Sequence, residues 1–153
     1  MPSLKLKIPP PIVALLVAVL MWVVKRAAPS MTLSLPAHRA AAAALALAGL
    51  VISIAGVTSF RRAGTTLNPL RPEKASSLVT SGIFRFTRNP MYLGLLLVLL
   101  GWAVFLSNAL AFIALPAFIL YMNRFQIEPE ERVLASVFGQ DFVAYQSKVR
   151  RWL

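Results

Sequence analysis

The chain has 153 residues, about one domain's length. Hydrophobic residues make up 58 % and charged residues 14 %, against roughly 45–50 % and about 25 % in soluble domains; this excludes a water-soluble globule, and equally a disordered basic tail, which would be poor in apolar residues. Sixteen Lys and Arg against five Asp and Glu give +11, which in so apolar a chain reads as loop bias and attraction to anionic headgroups, with no nucleic acid expected as partner.

Cysteine is absent and His38 is the single histidine. A disulfide framework, a thiolate nucleophile, a His-based triad and a metal centre are therefore not expected. Chemistry in this chain rests on Glu, Asp, Arg, Tyr, Asn, the backbone, or a cofactor that carries its own reactivity.

The first charge-free run is 8–24. Lys5 and Lys7 precede it and Lys25-Arg26 follow it with no small-residue cleavage site, so it reads as an uncleaved anchor. The second run is 40–60, whose Ala-rich start is helix-favouring filler. Gly49 and Gly56 lie two turns apart on it with Ser53 between them, a spacing that lines one face for close helix packing.

The loop 61–88 holds Arg61, Arg62, Arg71, Lys74, Arg85 and Arg88 against Glu73 alone. Gly64, Asn68-Pro69 and Arg71-Pro72 are turn signals. At its end Asn89 fits as N-cap and Pro90 as first residue of a helix, with Arg88 and Tyr92 flanking a candidate anion site at the helix start. The bland reading of the same residues is a capped helix with an interfacial Arg and Tyr.

The run 89–123 is too long for one crossing and is broken at Ser107-Asn108. It reads as a hairpin of two short helices, each about 24–27 Å long, hence with local thinning or snorkelling at their ends. Gly94 and Gly101 repeat the seven-residue spacing; packing and close approach to a ligand both account for Gly94. No ionisable residue lies inside any span, which argues against a carrier.

The expected architecture is all-α and integral to the membrane. It has four transmembrane helices at about 8–24, 40–60, 90–107 and 108–123, and a cytoplasmic helical C-terminal segment, in one domain over 1–153. The basic loop places 61–88 and both termini on the cytoplasmic side. Lys25, Arg26 and Arg39 in the first loop run against that rule.

After the fourth span, Pro129 forces a kink or a fresh helix start, with Glu130 and Glu131 in a first turn that suits carboxylates. Gly139 is a stop signal. Asp141 then caps a last helix carrying Phe142, Tyr145 and Val149, and Arg150-Arg151-Trp152 sit at headgroup level.

The stretch L-V-T-S-G at 78–82, F-R-F-T-R-N-P-M-Y-L-G at 84–94, E-E at 130–131 and F-G-Q-D-F-x-x-Y at 138–145 resembles the isoprenylcysteine carboxyl methyltransferase and phospholipid methyltransferase superfamily. N-P-M-Y at 89–92 and L-G-W-A at 100–103 are similar to phosphatidylethanolamine N-methyltransferases. The resemblance covers about 64–152 and implies S-adenosylmethionine as cofactor, held by segments 64–94 and 124–152. It implies cofactor contacts from Ser77, Leu78, Val79 and Phe84, from Asn89, Pro90, Met91 and Tyr92, and from Glu130, with Gly94 and Glu131 in the same motifs. It implies methyl transfer to a lipophilic small molecule or lipid that enters from the bilayer, at the cytoplasmic face of what is expected to be a bacterial inner membrane.

Two departures stand out. The family's usual His is Asn89, which still donates and accepts hydrogen bonds. The family's Arg for a substrate carboxylate falls on Gln126, with Arg124 two residues before it and about 200° around the helix; Arg124 and Gln126 are thus the candidate substrate contacts, and the acceptor atom (O, S or N) stays open. No residue is assigned as catalytic. A silent four-helix scaffold or subunit of the same fold is the alternative. An NADPH-dependent reductase comes third, because sterol reductases resemble the superfamily in their C-terminal half but need many more spans.

Overall fold

The computed structural model describes residues 8–65 and 74–153. Lys5, Lys7 and the turn signals at 68–72 lie outside those residues. Among the described residues the fold is all-α: α1 Pro10–Ala27, α2 His38–Arg62, α3 Pro90–Leu106, α4 Ala114–Met122, α5 Glu128–Phe138 and α6 Gln140–Lys148, with a single β-bridge between Thr32 and Asn108.

The long helices wear their apolar residues outward. Leu15, Leu16, Val19 and Leu20 on α1, and Leu47, Leu50, Val51 and Ile54 on α2, are each more than half exposed. Contiguous apolar surface of this extent is lipid-facing. Three helical stretches are long and apolar enough to cross a membrane: Pro10–Ala27, His38–Arg62 and Ala109–Phe138. Pro90–Leu106 is as apolar but only 17 residues long.

α2 and α3 pack through their glycines. A Cβ on Gly49 would lie 2.5 Å from the Gly94 carbonyl oxygen, and one on Gly101 would lie 2.8 Å from that of Ala42. The seven-residue spacing is therefore a packing seam in which the two backbones touch.

α3 ends where Ser107 takes a left-handed conformation (φ 49°). The fully buried Asn108 follows. Its Oδ1 accepts from the Leu110 N–H and its Nδ2 donates to the Ala28 carbonyl at 2.8 Å, so the hairpin turn is tied to the end of α1. Halfway down, the Trp102 indole N–H donates to Ala18 O at 3.0 Å.

The last helix departs from expectation. It does not stop near 123 and restart. A 3₁₀ turn at Ala109–Ile113 leads into α4, a π-helical turn at Asn123–Ile127 follows, and α5 continues with no non-helical residue between them. Pro129 is the cause: it has no N–H for the Phe125 carbonyl and its ring would strike it. The backbone absorbs both faults by widening one turn. Glu130 and Glu131 consequently ride on a continuing helix, because Ile127 and Glu128 are already helical. They do not complement a free N-terminus.

Gly139 (φ 53°) ends α5 and α6 begins at Gln140, with Asp141 in its first turn making no cap. The bundle core runs through Val13, Met21, Leu99, Leu106, Phe118, Met122 and Ile127. A second, smaller core joins Val79 and Phe84 to Phe142, Tyr145 and Val149 of the C-terminal segment, with Phe60 of α2 packed edge-on to Phe84 at 5.1 Å.

Candidate functional site

Two sequence-distant segments meet at the start of α3. Tyr92 is the third residue of α3 and is buried. Its hydroxyl donates to Glu130 Oε1 at 2.5 Å. Gln126, one turn before Glu130, donates its Nε2 to the same oxygen at 3.0 Å. The widened turn thus leaves Gln126 and Glu130 on one face and aims both at Tyr92. Both bonds fall on one carboxylate oxygen.

The neighbouring carboxylate has other partners. Glu131 Oε1 accepts from Arg88 Nη2 at 2.7 Å and from Arg151 Nε at 3.0 Å, while its Oε2 accepts from Arg151 Nη2 at 2.7 Å. Arg88 also donates to the Val149 and Gln146 carbonyls at the end of α6, where a cation suits the helix dipole. Arg88 is therefore not a free anion receptor at the start of α3. Its Nε–H alone is buried without a partner.

Nor does Asn89 cap α3 with its side chain. Its backbone N–H donates to Thr87 Oγ1, and its Nδ2 donates to the Arg151 carbonyl at 3.0 Å. Thr87, fully buried, donates to that same carbonyl. Two of the three expected headgroup anchors are thus folded inward, since Arg151 binds Glu131 and the Trp152 indole donates to Asn123 Oδ1, while Arg150 stays exposed.

A cleft opens above this network. It encloses a small cavity of about 100 Å³. Of the residues singled out in the sequence, Leu78, Val79, Phe84, Asn89, Pro90, Met91, Tyr92, Glu130 and Glu131 line it. Four do not. Ser77 donates to the Ala63 carbonyl and holds the loop to the end of α2. Gly94 faces Ser53 and Gly49 of α2, which resolves its two readings in favour of packing. Gln126 is buried behind Glu130. Arg124 has a side chain 66 % exposed and points outward to Glu128.

Sequence reasoning assigned no ligand contact to Phe60, Ile127, Leu134, Phe142 and Tyr145, which with Arg88 complete the lining. Phe142 and Tyr145 were visible as motif residues on the last helix but were given no contact with the cofactor. The Tyr145 hydroxyl donates to the Phe84 carbonyl at 2.6 Å and so fixes the 3₁₀ turn Gly82–Arg85 over the cleft. Burial pushes the pKa of Tyr145 up to about 12 despite the opposing charge of Arg88.

The lining offers a buried carboxylate on one side, aromatic faces from Phe60, Phe84 and Phe142, and one unsatisfied N–H. Such a set suits an amphipathic ligand with a cation or hydroxyls at one place and an acceptor group at another.

The chain is 52 % identical over 63 residues to an uncharacterized protein of Haemophilus influenzae, covering 41 % of this chain and all of that protein. It is 30 % identical over 101 residues to protein-S-isoprenylcysteine O-methyltransferase B of Arabidopsis thaliana, covering 66 % of this chain and 51 % of the plant protein. A probable protein-S-isoprenylcysteine O-methyltransferase of Oryza sativa subsp. indica is 32 % identical over 112 residues, covering 71 % and 57 %. The chain thus spans about half the length of these plant relatives. No solved structure matches it significantly. The phospholipid methyltransferase family model matches residues 37–141, from the start of α2 to the first turn of α6, so the segments that join at Tyr92 and Glu130 both fall within the match and the chain belongs to the phospholipid methyltransferase family.

Proposed function

We propose that this protein is an integral-membrane methyltransferase that binds S-adenosylmethionine in the Tyr92–Glu130 cleft and methylates a lipophilic acceptor. The observation that carries the reading is the 2.5 Å bond between Tyr92 and Glu130, which joins two motifs 38 residues apart inside an aromatic-lined cavity.

The chemistry of the lining fits the cofactor. Glu130, oriented through Oε1 by Tyr92 and Gln126, offers Oε2 to ribose hydroxyls or an ammonium. Arg88, whose charge is engaged by Glu131, keeps one N–H, at Nε, for the carboxylate of the methionine moiety. Phe60, Phe84 and Phe142 exclude water and present π faces to a cation. The cavity is smaller than the whole cofactor, so binding requires the cleft to open further. When bound, S-adenosylmethionine supplies a methyl group on a positively charged sulfur, and alignment with the acceptor is the enzyme's main task. A carboxylate or thiolate acceptor needs no base. For an amine, Glu130 is the residue positioned to take the proton.

The reading includes four crossings, with α3 spanning about 26 Å of locally thinned bilayer, and with residues 61–88, both termini and the cleft facing the cytoplasm, in a bacterial inner membrane. Equilibrium binding of radiolabelled S-adenosylmethionine to detergent-purified protein tests it, with NADPH as competitor. Saturable binding that NADPH leaves intact is expected. Absence of binding would favour a silent scaffold, and displacement by NADPH a reductase. A lipid-extract methylation screen read by mass shift identifies the acceptor.

A further inference from the structure

The end of the bundle opposite the cleft carries cations that neither the positive-inside rule nor the proposed methyl transfer accounts for. The bridge between Thr32 and Asn108, and the bonds from Leu33 N–H to Ser107 O and from Asn108 Nδ2 to Ala28 O, gather the α1–α2 connection and the hairpin turn at that end. Lys25, half-buried, and Arg39, exposed, stand there, and neither forms an ion pair among the described residues. No Asp or Glu occurs anywhere from 1 to 72 or from 74 to 127, so no carboxylate of the bundle helices neutralises them.

Below these cations runs a groove of about 740 Å³ between α1, α2 and α3. Its floor is made of small residues, Ala14, Ala18, Ala43, Ala46 and Gly101, and Phe105 closes its top. Arg39 lies at the mouth. Phe105 also borders a second, polar depression that contains Lys25 and His38, so the two cations open onto one rim. The Ala-rich start of α2 is thus what hollows the groove, since a larger side chain at each position would fill it. Along α3 the groove runs from Leu95 to Phe105, about 15 Å, which is the depth of one leaflet of a ~30 Å hydrocarbon core.

We propose that this groove is a binding site for one anionic phospholipid of the leaflet opposite the candidate methyl-transfer cleft. An acyl chain lies on the alanine floor and the phosphate sits between Arg39 and Lys25. Dispersion along a dry, small-residue floor holds the chain, and charge complementarity at the rim selects the headgroup. The phosphate also screens cations that the topology otherwise leaves on the unfavoured side of the membrane.

The test is native mass spectrometry of detergent-purified protein incubated with dioleoyl-phosphatidylglycerol or dioleoyl-phosphatidylcholine. Wild type is expected to retain one phosphatidylglycerol per chain, at least tenfold more than phosphatidylcholine. The double variant Arg39→Gln, Lys25→Gln is expected to lose that preference while still binding either lipid weakly. Ala43→Phe, which fills the groove at an exposed position away from the α2–α3 seam, is expected to lose both lipids with an unchanged melt. Equal retention of the two lipids by wild type would overturn the proposal, as would undiminished phosphatidylglycerol binding by Ala43→Phe.

Discussion

Glu130 and Glu131 are adjacent in sequence and opposed in use: Glu130 accepts from Tyr92 and Gln126, whereas Glu131 accepts from Arg88 and Arg151. A step of about 100° around the helix separates them. One carboxylate faces the cavity held by neutral donors, and the other is neutralised between two guanidinium groups that fasten α6 and the C-terminal residues to the start of α3. On the proposed function the pair divides ligand binding from assembly of the site, and the two substitutions should be separable.

Glu130→Gln keeps the shape and the acceptor for Tyr92 but removes the charge. A charge-assisted hydrogen bond to a ligand contributes roughly 1.5–3 kcal/mol. S-adenosylmethionine affinity is thus expected to fall by about 10- to 150-fold, with the thermal melt little changed. Calorimetric titration of wild type and variant beside a melt measures both; unchanged affinity removes Glu130 from the ligand site.

Glu131→Gln should act on the other axis. It leaves Arg88, whose side chain is 12 % exposed, without a negative partner, and replaces one of the two oxygens that bind Arg88 and Arg151 with an NH2 that cannot accept. Breaking a buried pair from one side costs about 3–5 kcal/mol, and the partial exposure of Arg151 puts the expectation at about 3 kcal/mol. A clearly lower melting temperature is expected. A variant as stable as wild type would show that α6 is held without the Glu131 ion pairs, by its apolar face and the remaining bonds from Arg88 and Tyr145.

What the sequence made legible follows the range of the interactions. The apolar runs marked α1, α2 and the hairpin because membrane burial is written residue by residue. Asn89-Pro90 marked the start of α3 because Pro is tolerated there. The continuous helix through Pro129 was not legible, since its π-helical turn is a backbone adjustment that no side-chain pattern encodes. Neither was the role of Arg151. Its partner lies 20 residues away, across the Gly139 turn, and an isolated Arg-Arg-Trp end reads equally well as an interfacial anchor. Gly94 was ambiguous for a different reason. A small residue permits close approach without saying to what, and only the placement of Ser53 and Gly49 decides it.

Gly94→Ala tests that decision. The added Cβ would collide with Ser53 Oγ and lie 2.5 Å from the Gly49 carbonyl oxygen, which belongs to backbone. Overpacking of this kind costs typically 1–3 kcal/mol. The variant is expected to melt lower, with the folded fraction binding S-adenosylmethionine as wild type does. Weakened binding with no loss of stability would return Gly94 to the ligand site.

Topology gives a test that needs no ligand. Arg61, Arg62, Arg85 and Arg88 lie at one end of α2 and α3, and the hairpin turn at Ser107-Asn108 is uncharged. A reporter fused after Leu153 is expected to read cytoplasmic. An extracytoplasmic signal overturns the proposed orientation.

The hydroxyl of Tyr145 supplies a pH-dependent prediction. It donates to the Phe84 carbonyl, and burial raises its pKa to about 12 in the folded protein, from about 10 in an unfolded chain. A group that holds its proton more tightly when folded contributes stability that is fully present below the unfolded value. That contribution is lost as pH rises through the folded one. Between pH 10 and about 12 the unfolded chain's Tyr145 ionises while the folded one does not, so unfolding gains in that window. Tyr145→Phe removes the titrating group and leaves the Phe84 carbonyl without its donor, a loss of about 1–3 kcal/mol near neutral pH. The difference in stability between wild type and Tyr145→Phe is therefore expected to be constant from pH 7 to about 9 and to shrink steadily from pH 10 upward. Taking the difference cancels the contributions of every other group, which both proteins share. Denaturant titrations at stepped pH measure it. A difference that stays flat to pH 12 would mean the hydroxyl is not held by Phe84, and the turn over the cleft would then owe its position to the packing of Phe84 against Phe60, Val79 and Phe142.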